Sequence, residues 1–86
     1  NFNISNIYPN PFNPSTEFDI NLLESGLLSI QIFDLNGNLI DELVNDYYFS
    51  GSFKINWNAG HLSSGIYILN AQLNGKNISK RLTLMK

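Results

Sequence analysis

Alternation of apolar and polar residues is the feature that most limits how this chain can fold. Phe18, Ile20 and Leu22 alternate with polar side chains, and a β-strand points successive side chains to opposite faces. The same period of two recurs in residues 28–32 and 53–57, whereas no window carries the apolar spacing of an amphipathic helix. The pattern therefore predicts antiparallel strands with one buried face and one solvated face.

Glycines divide the chain into short segments of strand length. Asn74-Gly75 is the strongest hairpin signal, because a type I′ turn needs a positive φ at both central residues and both residue types tolerate it. Ser50-Gly51 marks a point where a strand can break. We predict an all-β fold, a single antiparallel sandwich of about seven strands. The predicted strands span residues 2–7, 16–22, 27–33, 38–44, 47–57, 65–73 and 76–85.

All three prolines fall in one stretch, Tyr8-Pro9-Asn10-Pro11-Phe12-Asn13-Pro14. Proline fixes its own φ and keeps the preceding residue out of the helical region, so the stretch is stiff and extended. Because proline has no N–H donor, the stretch cannot lie inside a sheet. We predict that it carries the chain from the first sheet to the second.

Composition excludes several classes of function. The 86 residues suffice for one domain, and without cysteine there is no disulfide framework or thiolate metal site. A net charge of −2 argues against nucleic acid as a partner, and no apolar run is long enough for a membrane-spanning segment. The chain begins without methionine, so we interpret it as a piece of a longer protein.

The charges are segregated, since all seven acidic residues precede all five basic ones. This order is explained either by pairing between early and late strands or by a basic C-terminal surface for a partner. Composition alone favours the pairing, because solvated ion pairs between neighbouring strands are common.

Residues suited to catalysis or metal binding are few. His61 lies near Ser63 and Ser64, but sequence proximity supplies neither an orienting acid nor an oxyanion hole. The segment from Asp34 to Asn38 has oxygen ligands at alternate positions but lacks the downstream acid of a calcium-binding loop. We interpret Asp34 as a turn residue that accepts backbone N–H bonds. We therefore predict no enzyme activity, no metal and no cofactor.

Carbohydrate binding is the alternative that the aromatic residues raise. Trp57 shares a predicted face with Phe53 and Ile55, which favours the core, and a tyrosine such as Tyr67 has several uses inside a sandwich. Tyr47-Tyr48-Phe49 is an aromatic run with members on both faces. We interpret these residues as core rather than as a platform for sugars.

Four blocks, taken in chain order, carry a resemblance to a known family. The first runs from Tyr8 to Thr16 and includes Tyr8, Pro9, Asn10 and Pro11. The others are Ile32-Phe33-Asp34-Leu35-Asn36-Gly37, Leu62-Ser63-Ser64-Gly65-Ile66-Tyr67 and Lys80-Arg81-Leu82-Thr83-Leu84-Met85-Lys86. Together these blocks span nearly the whole chain and resemble the type A C-terminal sorting domains of the type IX (Por) secretion system. Phe33 stands where many members have tyrosine.

The resemblance implies an immunoglobulin-like β-sandwich, residues 1–86, at the C-terminus of a larger exported protein. Family members pass through the periplasm, are recognised by an outer-membrane translocon, and are usually removed by a surface peptidase-transpeptidase that anchors the upstream cargo domain. The implied location is secreted or at the cell surface. The family positions carried over as mainly structural are Tyr8, Pro9, Asn10, Pro11, Asp34, Gly37, Gly65 and Tyr67.

The last predicted strand mixes apolar and basic residues, and a terminal edge strand can be bound by strand addition. We predict that the translocon recognises Lys80, Arg81, Leu82, Leu84 and Lys86. Two other classes stay open, a carbohydrate-binding or adhesive module of a secreted multidomain protein and a structural spacer.

Overall fold

The structure is a computed structural model and describes residues 2–86. These residues form strands and no helix, which confirms the all-β prediction. The seven strands are β1 (Phe2–Tyr8), β2 (Ser15–Leu22), β3 (Gly26–Phe33), β4 (Leu39–Tyr48), β5 (Gly51–Asn58), β6 (Gly65–Leu73) and β7 (Lys76–Leu84).

The strands form two antiparallel sheets, one of three strands in the order β1-β2-β5 and one of four in the order β4-β3-β6-β7. Every second residue of β2 and β3 is buried, so the inner faces of the two sheets form one hydrophobic core. Phe18, Ile30 and Leu69 are completely buried there. The sandwich prediction is therefore confirmed. Since β4 pairs with β3, the fourth strand lies in the opposite sheet from its position in an immunoglobulin constant domain.

The boundary between β4 and β5 differs from the prediction. Tyr47 and Tyr48 end β4, where they pair with Leu27 and Gly26 of β3, and β5 begins only at Gly51. Two register shifts between β3 and β4 let the longer β4 stay paired along its length. The turn therefore falls at the Ser50-Gly51 break.

The prediction that the proline segment crosses from one sheet to the other is wrong. β1 and β2 are neighbours in the three-stranded sheet, so the chain leaves that sheet after Tyr8 and returns to it at Ser15. In between, Phe12 forms an isolated parallel bridge with Leu84 of the other sheet. The prolines prevent continuous strand pairing, and Phe12 between them forms the bridge to Leu84.

Two turn and charge predictions are confirmed. The Asn74-Gly75 hairpin has φ values of 50° and 83°, as a type I′ turn requires. Lys54 of β5 lies 3.1 Å from Glu17 and 3.3 Å from Asp19 of β2, so a later base pairs with earlier acids. Hydrogen bonding to these two carboxylates raises the pKa of Lys54.

Candidate functional site

The outer edge of β7 is partly covered by Asn10, Pro11 and Phe12, which we call the edge cap. The Phe12 N–H donates to the Thr83 carbonyl at 2.9 Å, and the Met85 N–H donates to the Phe12 carbonyl at 2.9 Å. An edge strand otherwise presents unpaired N–H and C=O groups that another chain can bind. The edge cap satisfies these groups near the end of β7.

The side chain of Asn10 bonds further outward backbone groups of β7, nearer the start of the strand. Its Nδ2 donates to the Arg81 carbonyl at 3.1 Å, and its Oδ1 accepts the Thr83 N–H at 3.0 Å. The amide thus supplies one donor and one acceptor, as a peptide group of a neighbouring strand would. Strand addition by a partner is therefore blocked from the Arg81 carbonyl to Met85 while the edge cap is in place.

Phe12 holds the edge cap on the core. Its side chain is only 2% exposed, and its ring lies 5.4 Å from the Trp57 ring at an angle of 48°. Trp57 in turn meets Tyr67 edge to face, with 5.9 Å between the ring centres. The edge cap is thus fixed both by backbone bonds and by a buried aromatic cluster.

Both polar atoms of this aromatic cluster are satisfied. Trp57 Nε1 donates to Asp41 Oδ2 of the opposite sheet at 3.0 Å. The Tyr67 hydroxyl donates to the Ser63 carbonyl at 2.7 Å, the tyrosine corner found at the start of the sixth strand in immunoglobulin-like folds. Trp57 and Tyr67 are therefore core residues, as predicted, and are unavailable for stacking on a sugar.

Hydrogen bonds also hold the proline segment at its first and last prolines. The Thr16 hydroxyl donates to the Pro9 carbonyl at 2.7 Å, and the Ala59 N–H donates to the Pro14 carbonyl at 2.9 Å. The side chain of Tyr8, by contrast, is 76% exposed. Pro9 and Asn10 thus make hydrogen bonds within the domain, whereas Tyr8 presents its ring to solvent. The mainly structural role of the four family positions stays a prediction.

The predicted recognition residues of β7 divide into two groups. The side chains of Leu82 and Leu84 are buried in the core, because inward-facing positions alternate along the strand. This corrects the expectation that they lie on the contact surface of the folded domain. The side chains of Lys80 and Arg81 are exposed. No hydrogen bond or ion pair holds either of them within residues 2–86. The recognition role of all four stays a prediction.

Lys86 is tied to the loop before β6. Its N–H donates to Ser64 Oγ at 2.9 Å, and its Nζ donates to the Gly60 carbonyl at 2.6 Å. The Ser64 hydroxyl is thus used structurally, and nothing within residues 2–86 shows a hydrogen bond from His61 to either neighbouring serine. Gly65 begins β6 and pairs with Leu84, so this loop and the end of β7 lie side by side.

Asp34 closes the turn between β3 and β4, as predicted. Its Oδ1 accepts the N–H groups of Asn36 and Asn38, each at 2.9 Å, and its Oδ2 accepts Asn38 Nδ2 at 3.1 Å. Gly37 has a φ of 85°, which favours glycine. The bonds from Asn38 above all lower the pKa of Asp34. In the part of the chain that the structure describes, no three His, Asp or Glu residues are placed to hold a metal ion.

The opposite end of the sandwich carries two exposed aromatic side chains, Tyr47 and Phe49, which we call the hairpin aromatics. They are 57% and 73% exposed, and their rings meet edge to face at 5.5 Å. Tyr48 is half-buried against Phe53, at 4.9 Å between ring centres. These four side chains and Asp46 line an open hollow of about 330 Å³. Our interpretation of Tyr47 and Phe49 as core residues is therefore wrong.

Sequence reasoning missed the edge cap. The available signal was that Phe12 is the only large apolar side chain, proline aside, between the first and last prolines. A lone large apolar residue in a polar loop tends to be buried. No sequence pattern, however, showed that Asn10 reaches the backbone of a strand more than 70 residues away. Its partner had to be found in the structure.

The two antiparallel sheets, the tyrosine corner and the capped last strand together define an immunoglobulin-like β-sandwich domain. The family model of the secretion system C-terminal sorting domain matches residues 6–85. The chain belongs to this family, the C-terminal sorting domains of the type IX secretion system. Such a domain marks a secreted or cell-surface protein and interacts with the type IX machinery.

The chain is also similar in structure to PorZ, described as an essential bacterial surface component of the type IX secretion system of Porphyromonas gingivalis. The TM-score is 0.62 at 22% identity, over 99% of this chain and 11% of PorZ. This likeness shows the fold, and the chain spans about one ninth of PorZ. A search of curated proteins found no match. Residues 2–86 include no helix with the length and hydrophobicity to cross a bilayer.

Proposed function

We propose that the folded domain is recognised by the outer-membrane translocon of the type IX system after its cargo has reached the periplasm. The observation that carries this proposal is the position of Lys80 and Arg81. Both are exposed on an edge strand, and neither is engaged by another side chain within residues 2–86. Lys86 follows the end of β7, with its ammonium group held by the Gly60 carbonyl. These three cations form the basic part of the recognition surface.

The domain acts as a substrate of a surface peptidase-transpeptidase rather than as an enzyme. That peptidase removes the domain and joins the upstream cargo to an anionic lipopolysaccharide, as the family resemblance implies. β1 starts at Phe2 and is paired with β2 from Phe2↔Leu22 onward. A cut within β1 would need local unfolding, since paired strands are poor protease substrates. Cleavage therefore falls on the N-terminal side of β1.

Charge reversal tests recognition better than deletion, because deleting residues 80–86 also removes Leu82 and Leu84 from the core. Full-length cargo carrying Lys80→Glu and Arg81→Glu should fold but accumulate in the periplasm. A control that introduces the same number of glutamates at exposed positions elsewhere, Asn45→Glu and Asn56→Glu, should still reach the surface. Fractionation and surface labelling measure the difference. Normal surface delivery of the β7 variant would contradict the proposal.

Carbohydrate binding remains a second candidate because the hairpin aromatics are exposed beside the Asp46 carboxylate. Exposed aromatic rings stack on the apolar face of a sugar, and a carboxylate accepts its hydroxyl hydrogens. Titrating the domain with polysaccharide fragments should then shift the amide resonances of Tyr47 and Phe49. Absence of any shift at the solubility limit of the sugars would eliminate this candidate.

A further inference from the structure

The outer edge of β7 is open over its first half and covered over its second. In an antiparallel pair, the N–H and C=O groups of alternate residues point away from the partner strand. Those of Thr83 point away from β6, since the edge cap binds both of them. The same alternation places the backbone groups of Asn77, Ser79 and Arg81 on this outer side.

Five of these outward groups are available to a partner. They are the N–H and C=O of Asn77, the N–H and C=O of Ser79, and the N–H of Arg81. Within residues 2–86, no hydrogen bond reaches any of them, and the side chains of Asn77 and Ser79 are exposed. The Arg81 carbonyl is the first group held by Asn10. We call residues 77–81 the open edge; it ends where the edge cap begins.

Charge determines which kind of strand fits the open edge. Lys80 and Arg81 lie within it, and no carboxylate in the described part of the chain pairs with them. A second copy of β7 added antiparallel around Ser79 would bring the same cations from both copies together, and edge lysines oppose such self-pairing. An extended segment rich in Asp or Glu would instead place opposite charges across the new ladder.

We propose that an extended acidic segment of the export machinery adds to β7 as a new strand along the open edge. Backbone hydrogen bonds to Asn77, Ser79 and Arg81 supply affinity, and Lys80 with Arg81 selects the acidic sequence. The edge cap fixes where the added strand must stop, because Asn10 occupies the next position. This inference rests on the proposed function for the identity of the partner, but the pairing can be tested without it.

The probe is a blocked peptide of about eight residues in which pairs of Glu are separated by Thr or Val. Because Lys80 and Arg81 point to opposite faces of β7, the paired Glu residues place a carboxylate on each face of the added strand. A matched peptide carries Lys in place of Glu. Each is titrated into the isotope-labelled 86-residue chain at low and at physiological salt. The acidic peptide should shift the amides of Asn77, Ser79 and Arg81 and protect them from hydrogen exchange. Its affinity should exceed that of the basic peptide by about tenfold or more at low salt.

Ser79→Pro tests the backbone pairing directly. Proline is tolerated on an edge strand where its N–H would face solvent, and there it removes a donor and blocks the added strand. We expect at least about tenfold weaker binding of the acidic peptide, whereas Ser79→Thr, which keeps the N–H, should bind like the original chain. Lys80→Glu with Arg81→Glu is a second variant that leaves the backbone intact and should reverse the preference between the two peptides.

Several results would overturn the inference: no binding of the acidic peptide, shifts that map to β1, β4 or β5, equal binding of both peptides, or full binding to Ser79→Pro. Dimerisation of the chain through β7 would do so as well. Peptide binding at the open edge combined with normal export of Ser79→Pro cargo would separate the two ideas. In that case the open edge does pair with an acidic strand, but the translocon does not use this pairing during export. The inference as stated would then be wrong.

Discussion

Phe12 and Phe49 lie at opposite ends of the sandwich, and their side chains are 2% and 73% exposed. Both belong to short segments between strands. At the first end, the chain makes an excursion of six residues between Tyr8 and Ser15, long enough to cover the end of the core and the edge of β7. At the second end, only Phe49 and Ser50 separate β4 from β5, so the hairpin aromatics have no segment to cover them.

The difference distinguishes groups that stabilise the fold from groups that stay exposed to solvent. At the capped end, the Phe12 ring packs against Trp57, and two backbone hydrogen bonds and the Asn10 amide pair with β7. All of these contacts lie within the domain, so they stabilise the fold. At the hairpin end, apolar area stays in water and contributes little to folding. The same contrast recurs within β7, where the outward backbone groups of the covered half are hydrogen-bonded within the domain and no such bond reaches those of the open edge within residues 2–86.

Replacing the two phenylalanines by alanine should give the largest contrast. Phe12→Ala removes a buried ring and its contact with Trp57, so the free energy of unfolding should fall by about 3–5 kcal/mol. Phe49→Ala is the matched control at the exposed end and should change it by less than about 0.5 kcal/mol. Urea denaturation followed by Trp57 fluorescence measures both variants. Equal losses at the two ends would mean that the edge cap adds no more to stability than the hairpin aromatics do.

Features set by residues close together in the sequence were predicted correctly, whereas contacts between distant segments were not. The alternation around Phe18, the Asn74-Gly75 hairpin and the Asp34 turn are local patterns, and each was predicted correctly. The interactions of Asn10 and the exposure of Phe49 depend on which segments meet in space. Neither was predicted, because hydropathy alone does not show whether a later segment returns over an apolar side chain.

The candidate site shows the same limit. The resemblance identified the terminal strand and the proline segment as separate motifs, and the structure joins them through Asn10, Phe12 and the backbone of β7. Period two also implies that Leu82 and Leu84 face the same way along β7. Which of the two faces is buried depends on the opposite sheet, so their placement in the core follows only from the packed structure.

Asn10→Ala should produce the next largest effect. It removes the two side-chain bonds to Arg81 and Thr83 but leaves Phe12 in place, so the free energy of unfolding should fall by about 1–2 kcal/mol. Hydrogen exchange at the Thr83 amide should accelerate more than at amides in the centre of β6. Asn13→Ala is the control, since no hydrogen bond to the Asn13 side chain is found within residues 2–86. Unchanged exchange at Thr83 would show that Asn10 is dispensable for the cap.

The smallest predicted effect is a pH dependence of stability that arises from Asp34, which lies in the turn between β3 and β4 and outside the core. Because the bonds from Asn38, and after them those from Asn36 and Gly37, lower the pKa of Asp34 in the folded chain, the ionised carboxylate stabilises the fold. This contribution is complete above the unfolded pKa of about 3.9 and is lost as pH falls through the lower folded pKa. The urea midpoint of the original chain should therefore fall more steeply below about pH 4 than that of Asp34→Asn, which lacks the titrating group. Following the Asp34 carboxyl carbon by NMR gives its pKa directly, and a folded value at or above that of the unfolded chain would refute this account of the turn.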